Sequence, residues 1–116
     1  MRENIIKNKS FDFAIKIVNL YEHIVETKKE FVLSKQLLRS GTAIGAMVRA
    51  SEHAESKADF IHKLSIALKE ANETEYWILL LKETQYLNDE MFQSVQNDTE
   101  EIIKLLISII KTSKVK

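Results

Sequence analysis

The sequence predicts an all-α fold, an antiparallel up-and-down four-helix bundle, on three observations. Apolar residues recur at helical spacing in four separate segments and nowhere alternate as they do in a half-buried strand. The 116 residues hold no proline and only two glycines, which leaves little material for the turns of a many-stranded sheet. The four segments are joined by short connections, so helices consecutive in sequence must fold back on one another.

The first helix is predicted over about 10–27. Its predecessor, MRENIIKNK, is mostly polar and basic and is expected to fray or pack loosely, with Ser10 as the cap. Phe13, Ile17, Leu20 and Ile24 form one stripe, with Ala14, Val18, Tyr21 and Val25 beside it. Lys28 and Lys29 suit its C-terminal end. The second helix is predicted over about 34–53, with Ser34 as N-cap and Leu33 and Leu38 placed for a hydrophobic staple. Its inward face runs Leu37, Gly41, Ile44 and Val48, and the run from Ser40 to Ala46 is rich in small residues. Each interior glycine costs about 1 kcal/mol relative to alanine. A close approach of a neighbouring helix to Gly41, Ile44, Gly45 and Val48, inside the bundle or between subunits, would offset that cost. A turn at Gly41 is the alternative.

The third helix is predicted over about 56–86. Ser56 is its cap and Asp59 completes an S-x-x-D capping box. Phe60, Leu64, Ala67, Ala71, Ile78 and Leu81 follow helical spacing, with Thr74 as the polar member, and Ile61, Leu68 and Leu79 widen the stripe toward a second neighbour. Asn88 caps a fourth helix over about 88–113, whose core face is Val95, Ile102, Leu105, Leu106, Ile109 and Ile110. In this topology both termini and the connection near His53 lie at one end, and the connections near Lys29 and Asn88 at the other.

A chain of this length forms one domain that buries roughly two-thirds of the surface its unfolded form exposes. The absence of cysteine removes disulfides, thiol catalysis and cysteine metal sites, and it suits the cytoplasm. No apolar run follows a basic leader, and charged residues interrupt each apolar stretch before a membrane span is complete, so no export or membrane anchoring is expected.

Four-helix bundles that hold two metal ions need a Glu-x-x-His pair on each of two helices plus two more carboxylates. Here Asp59 and His62 make one approximate match, with His53, Glu52 and Glu55 nearby, which is better read as solvated surface than as a metal site. Glu70, Glu73 and Glu75 crowd one helix, yet acid–base catalysis needs a cleft that a narrow bundle does not supply. Neither an enzyme nor a cofactor is therefore expected. Glu73 is instead a candidate to turn inward and form a buried polar pair with Arg39, while Tyr76, Trp77 and Tyr86 read as core and interface.

Net charge is zero, which argues against a dedicated nucleic-acid protein. The distribution is uneven, however. Residues 1–50 carry nine Lys and Arg against five acids. Arg2, Lys7, Lys9, Lys111, Lys114 and Lys116 all fall near the termini, so the bundle places at one end either a candidate phosphate-binding patch or, as the alternative, ordinary solvated tails.

The strings KQLLRSGTAIGAMVRAS and SKADFIHKLSIALKEANETEYWILLL resemble the bacterial four-helix bundle proteins of the ribosomal-RNA intervening-sequence (S23-like) family. The features carrying the likeness are Gln36 and Arg39, Gly41 to Gly45 with Ile44, Asp59 and Phe60, and the acidic run through Glu73 and Glu75 ahead of Tyr76 and Trp77. The resemblance implies a non-enzymatic up-and-down bundle of poorly defined role that assembles as a homopentameric ring. It also implies a tie to the accessory proteins of diversity-generating retroelements, which contact nucleic acid and a reverse transcriptase. RNA, DNA or another protein is thus the expected partner. Where the family commonly has Asn and then Glu, this chain has Met47 and Ala50, which puts a polar cluster with Arg39 and Glu73 in question.

Overall fold

The structure, a computed structural model, describes residues 2–115, with side chains from Asn4 onward. Among them lie four α-helices and no strand: α1 (Arg2–His23), α2 (Leu33–Ser51), α3 (Lys57–Glu83) and α4 (Asp89–Val115). Each helix packs on the next in sequence, α4 closes against α1, and the α2–α3 seam is the most extensive. The rod measures 47 × 21 × 19 Å. Its long axis matches the roughly 40 Å that a helix of the length of α3 or α4 spans at 1.5 Å per residue.

The N-terminal expectation is overturned. α1 begins eight residues before Ser10, and Ile6 is only 2% exposed. The inward stripe reads Ile6, Ser10, Phe13, Ile17, Leu20 and Ile24, a spacing of four and three that makes residues 2–9 part of the core helix. Ser10 is no cap. It is buried in mid-helix and its hydroxyl donates to the Lys7 carbonyl at 3.2 Å.

α1 leaves through a π-helical turn, Ile24–Lys28, closed by Lys29 in the left-handed region at φ 56°, whose N–H donates to the Val25 carbonyl. Such a cap does the work usually given to glycine, at a cost of about 1–2 kcal/mol for a residue bearing a β-carbon. The turn aims Glu30 at the start of α2. Its carboxylate accepts from the backbone N–H groups of Val32, Leu33 and Ser34 at 3.0, 2.9 and 2.7 Å. Ser34, expected as the N-cap, is instead inside the first turn of α2, fully buried, with its hydroxyl donating to the Glu30 carbonyl at 2.7 Å. Burial alone would raise the pKa of Glu30. The three backbone donors outweigh it and hold the carboxyl below the ordinary glutamate range.

α2 runs unbroken through both glycines, so there is no turn at Gly41. A β-carbon on Gly41 would lie 2.9 Å from Ile17 Cγ2, and one on Gly45 would lie 3.2 Å from the Ser10 carbonyl oxygen. The close approach is therefore between α1 and α2 within the bundle, and Ile44 and Val48 are buried along the same face. Across the α2–α3 seam, Thr74 Oγ1 lies 3.0 Å from Ser40 Oγ and 2.7 Å from the Glu70 carbonyl, so both buried hydroxyls are satisfied.

The caps of α3 and α4 follow the sequence. Ser56 Oγ accepts from Asp59 N–H at 3.0 Å, while the Asp59 carboxylate reaches back to Glu55 N–H, one residue beyond the N-cap N–H of the usual capping box. α3 stops at Glu83, earlier than expected, because Gln85 turns left-handed at φ 68° and Tyr86 N–H returns to the Leu81 carbonyl at 2.8 Å. Asn88 Oδ1 accepts from Met91 N–H at 2.8 Å and starts α4.

Candidate functional site

The topology gathers the basic termini at one end of the rod, but it does not make one cluster of them. Lys7 pairs with Glu52 at 3.2 Å, just past the end of α2. Lys9 pairs with Glu101, and their hydrogen bond raises the lysine's pKa and lowers that of the glutamate. Glu101 sits ten residues before Lys111 on α4, about 15 Å along the helix. Lys9 is thus a seam residue, braced between α1 and α4, and Lys16 extends the seam by bonding Asp98 at 2.6 Å and Ser94 at 2.8 Å. Lys111 and Lys114 are exposed in the last turns of α4 and have no acidic partner among the described residues. The side chain of Arg2 and all of Lys116 lie outside the described residues.

Arg39 and Glu73 do meet, although not in the interior. Arg39 is a half-exposed residue (its side chain 48% exposed) on the rim of the α2–α3 seam, where one guanidinium nitrogen bonds Glu73 and the other lies 3.3 Å from Glu70. Trp77 Nε1 donates to the same Glu73 oxygen at 3.1 Å. That bond is the main cause of the lowered Glu73 pKa, with burial opposing and Arg39 assisting. The expected buried pair is corrected for a steric and electrostatic reason. At this level Ser40, Thr74 and the Gly41 contact with Ile17 fill the interior, and a buried guanidinium would lose its hydration for little return. The Arg39 network forms with Met47 and Ala50 in place, so it does not depend on polar groups at those positions.

The acidic and histidine residues around the α2–α3 connection are not assembled into a ligand set. Asp59 is engaged by its cap and by Lys63, Glu52 by Lys7, and among the described residues no three His, Cys, Asp or Glu converge to hold a metal ion. No described helix is long and apolar enough to cross a membrane. A cavity of about 400 Å³ opens at this end, lined mainly by apolar residues such as Ile6, Val48, Phe60, Leu64 and Ile109.

Two apolar faces point outward: one on α1, whose Phe11 and Ile15 sequence reasoning missed, and one on α3, where it reads Tyr76 as core and interface and Leu79 as facing a second neighbour. On α1, Phe11 is 55% exposed, and Ile15 and Val18 follow it at i+4 and i+7. On α3, Tyr76 is 58% exposed, with Leu79 one turn on. The signal was present in the α1 sequence as a second stripe roughly two-fifths of a turn from the core stripe, of which only Val18 was counted in the broad apolar face.

The family described as 23S rRNA-intervening sequence protein matches residues 2–108. Among solved structures, a protein of unknown function from the S23 ribosomal protein family of Bacteroides thetaiotaomicron VPI-5482 is 61% identical, with 96% of this chain and 99% of that one covered and a TM-score of 0.94. No curated protein matches. The match over nearly the whole chain and the shared helical frame place this protein in a family: it belongs to the 23S rRNA-intervening sequence proteins.

Proposed function

We propose that this protein is a non-catalytic, self-associating bundle of the cytoplasm, a homopentameric ring, that holds structured RNA or DNA in a largely sequence-independent way at the end where α1 begins and α4 finishes. The observation that carries the reading is the pair Lys111 and Lys114, exposed on the last turns of α4 with no acidic partner among the described residues. Such lysines can neutralise phosphates without first breaking an ion pair. Lys7 and Lys9 contribute less, because a phosphate must compete with Glu52 and Glu101 for them. A ring repeats the patch, so individually weak contacts combine by avidity. The family's description, which names an intervening sequence of 23S rRNA, supports an RNA setting.

A second reading, an oligomeric scaffold that binds another protein and no nucleic acid, is favoured by the outward faces at Phe11 and Tyr76. Fluorescence-anisotropy titrations against duplex and single-stranded probes at several salt concentrations separate the two. The nucleic-acid reading expects affinity that falls steeply with salt, a large loss in Lys111→Gln/Lys114→Gln, and a smaller one in Lys7→Gln/Lys9→Gln. Equal binding by wild type and the α4 variant would remove the patch, and no binding at low salt would leave the scaffold.

A further inference from the structure

We propose that the pocket between the π-helical turn and the α3–α4 connection is a binding site for a nucleoside 5′-monophosphate. It lies at the opposite end of the rod from Lys111 and Lys114, so it stands or falls separately from the reading above.

The pocket exists because two connections stay apart. Ile24 anchors the π-helical turn in the core, but the turn packs extensively on no helix except α1. Opposite it, α3 ends and Gln85 reverses the chain at φ 68°. The space between them is about 390 Å³, within the range of roughly 300–1,000 Å³ typical of small-ligand sites. The backbone irregularities of the fold gather around it. The π-helical segment and the two non-glycine residues at positive φ among the described residues, Lys29 and Gln85, all flank this space. Such features cluster at functional sites.

The walls suit a phosphate. Lys28, from the π-helical turn, has no acidic partner among the described residues. Lys82, from α3, has one in Asp89 at 3.1 Å, whose side chain is 96% exposed and free to turn into water. Asp89 is the one carboxylate in the lining, so the pocket carries surplus positive charge, while Glu26 and Glu83 on the flanking turns are exposed outside it. His23 Nδ1 lies 3.4 Å from Thr27 Oγ1, which leaves Nε2 unpartnered. The carbonyls that end α3 would repel an anion, but those of Leu80, Leu81 and Lys82 already accept from the N–H groups of Thr84, Tyr86 and Gln85. A lysine ammonium is a compact point charge well matched to phosphate.

A bare phosphate would leave the rest of the lining unused. The Gln85 side-chain amide has no hydrogen-bond partner among the described residues, and Asn88, whose Oδ1 caps α4, keeps its amide N–H groups. A side-chain amide sets a donor beside an acceptor, the arrangement that pairs with the edge of a base. The half-buried ring of Tyr86, with Leu87 and Met91, supplies the apolar surface on which a base stacks. Phe92, whose ring centroid is 5.5 Å from Lys82 Nζ, steadies the ammonium beside it. Cation, amide and aromatic ring are the three groups a nucleoside monophosphate engages.

The test follows backbone amide signals of the ¹⁵N-labelled full chain during titration with AMP, GMP, CMP and UMP. The four nucleosides, inorganic phosphate and a 5′-phosphorylated tetranucleotide serve as comparisons. The expected result is saturable binding of at least one nucleotide with shifts confined to the two connections, and binding of its nucleoside and of inorganic phosphate weaker by about tenfold or more. Lys28→Gln should weaken nucleotide binding by a similar factor of about ten or more. Lys104→Gln, which removes the same charge from an exposed site about 22 Å along α4 from Asp89, should not. Gln85→Gly gives a readout that a purely structural residue would not: glycine adopts the left-handed conformation without strain, so the melting temperature should hold or rise while affinity falls. No saturable shift at millimolar nucleotide, shifts centred elsewhere, equal binding of inorganic phosphate, or equal losses in Lys28→Gln and Lys104→Gln would each overturn the site. An affinity untouched by Gln85→Gly would remove the base-reading amide and with it the nucleoside. A tetranucleotide that binds as tightly as the free nucleotide would overturn the small-molecule assignment.

Discussion

Gly45 and the carbonyl of Ser10 are packed so that a β-carbon at position 45 would stand 3.2 Å from the carbonyl oxygen, with backbone rather than a yielding side chain on the far side. The small residues of α2 are thus a condition of the distance between α1 and α2, and their cost in helix propensity is offset by that packing.

Enlarging this contact is expected to destabilise the fold. Gly45→Leu should lower stability by about 1–3 kcal/mol through overpacking. Gly41→Ala should also destabilise, although alanine gains about 1 kcal/mol in helix propensity, because its β-carbon would press on the fully buried Ile17. Urea titration reads both as a lower midpoint at unchanged slope. An unchanged midpoint for Gly45→Leu would contradict the close approach.

Ile6 tests the N-terminal half of α1. A loose tail would tolerate Ile6→Ala, whereas a fully buried isoleucine truncated to alanine costs about 2–5 kcal/mol. The structure expects the larger loss, read from the same titrations.

Glu30 links stability to pH. Its folded pKa lies below the ordinary value, so the unfolded chain takes up the proton first and the folded state is favoured only while the carboxyl is ionised. The contribution is complete above the ordinary glutamate value of about 4.3 and fades as pH falls through the lower folded value. Glu30→Ala should therefore cost about 0.5–2 kcal/mol at neutral pH, the range of a lost cap. The gap between the variant and wild type should narrow below about pH 4.3. A gap independent of pH would show that Glu30 does not cap α2 as a carboxylate.

The Arg39 and Glu73 pair is expected to be worth little. A buried pair broken on one side costs about 3–5 kcal/mol, whereas an exposed pair measured by a double-mutant cycle gives about 0.2–1 kcal/mol. A cycle on Arg39→Ala and Glu73→Gln should return the smaller coupling, and Glu73→Gln should also shift the emission of Trp77. A coupling above about 2 kcal/mol would place the pair back in a desolvated site.

The helices were legible where one residue type carries one meaning. Ser56 and Asn88 stand in front of apolar stripes and cap as their chemistry suggests. Ser10 and Ser34 carry the same signal and do not cap, because serine is also one of the smallest side chains a crowded seam can take. Glu30 caps α2 from outside the helix only because the π-helical turn and Lys29 aim it, a consequence of backbone geometry that residue spacing does not encode. The basic end was legible as a count of lysines. Which of them are free was not, since the partner of Lys9 lies 92 positions away at Glu101.

The order of packing has a kinetic consequence. Three of the four helix seams join segments adjacent in sequence, and only the closure of α4 on α1 spans the chain. Loop entropy is therefore small until that last step, and such local topologies fold in microseconds to milliseconds. The α1–α4 seam is then the natural last event in folding and first in opening, so substitutions confined to it, such as Lys9→Ala or Lys16→Ala, should act mainly on the unfolding rate and leave the folding rate nearly unchanged.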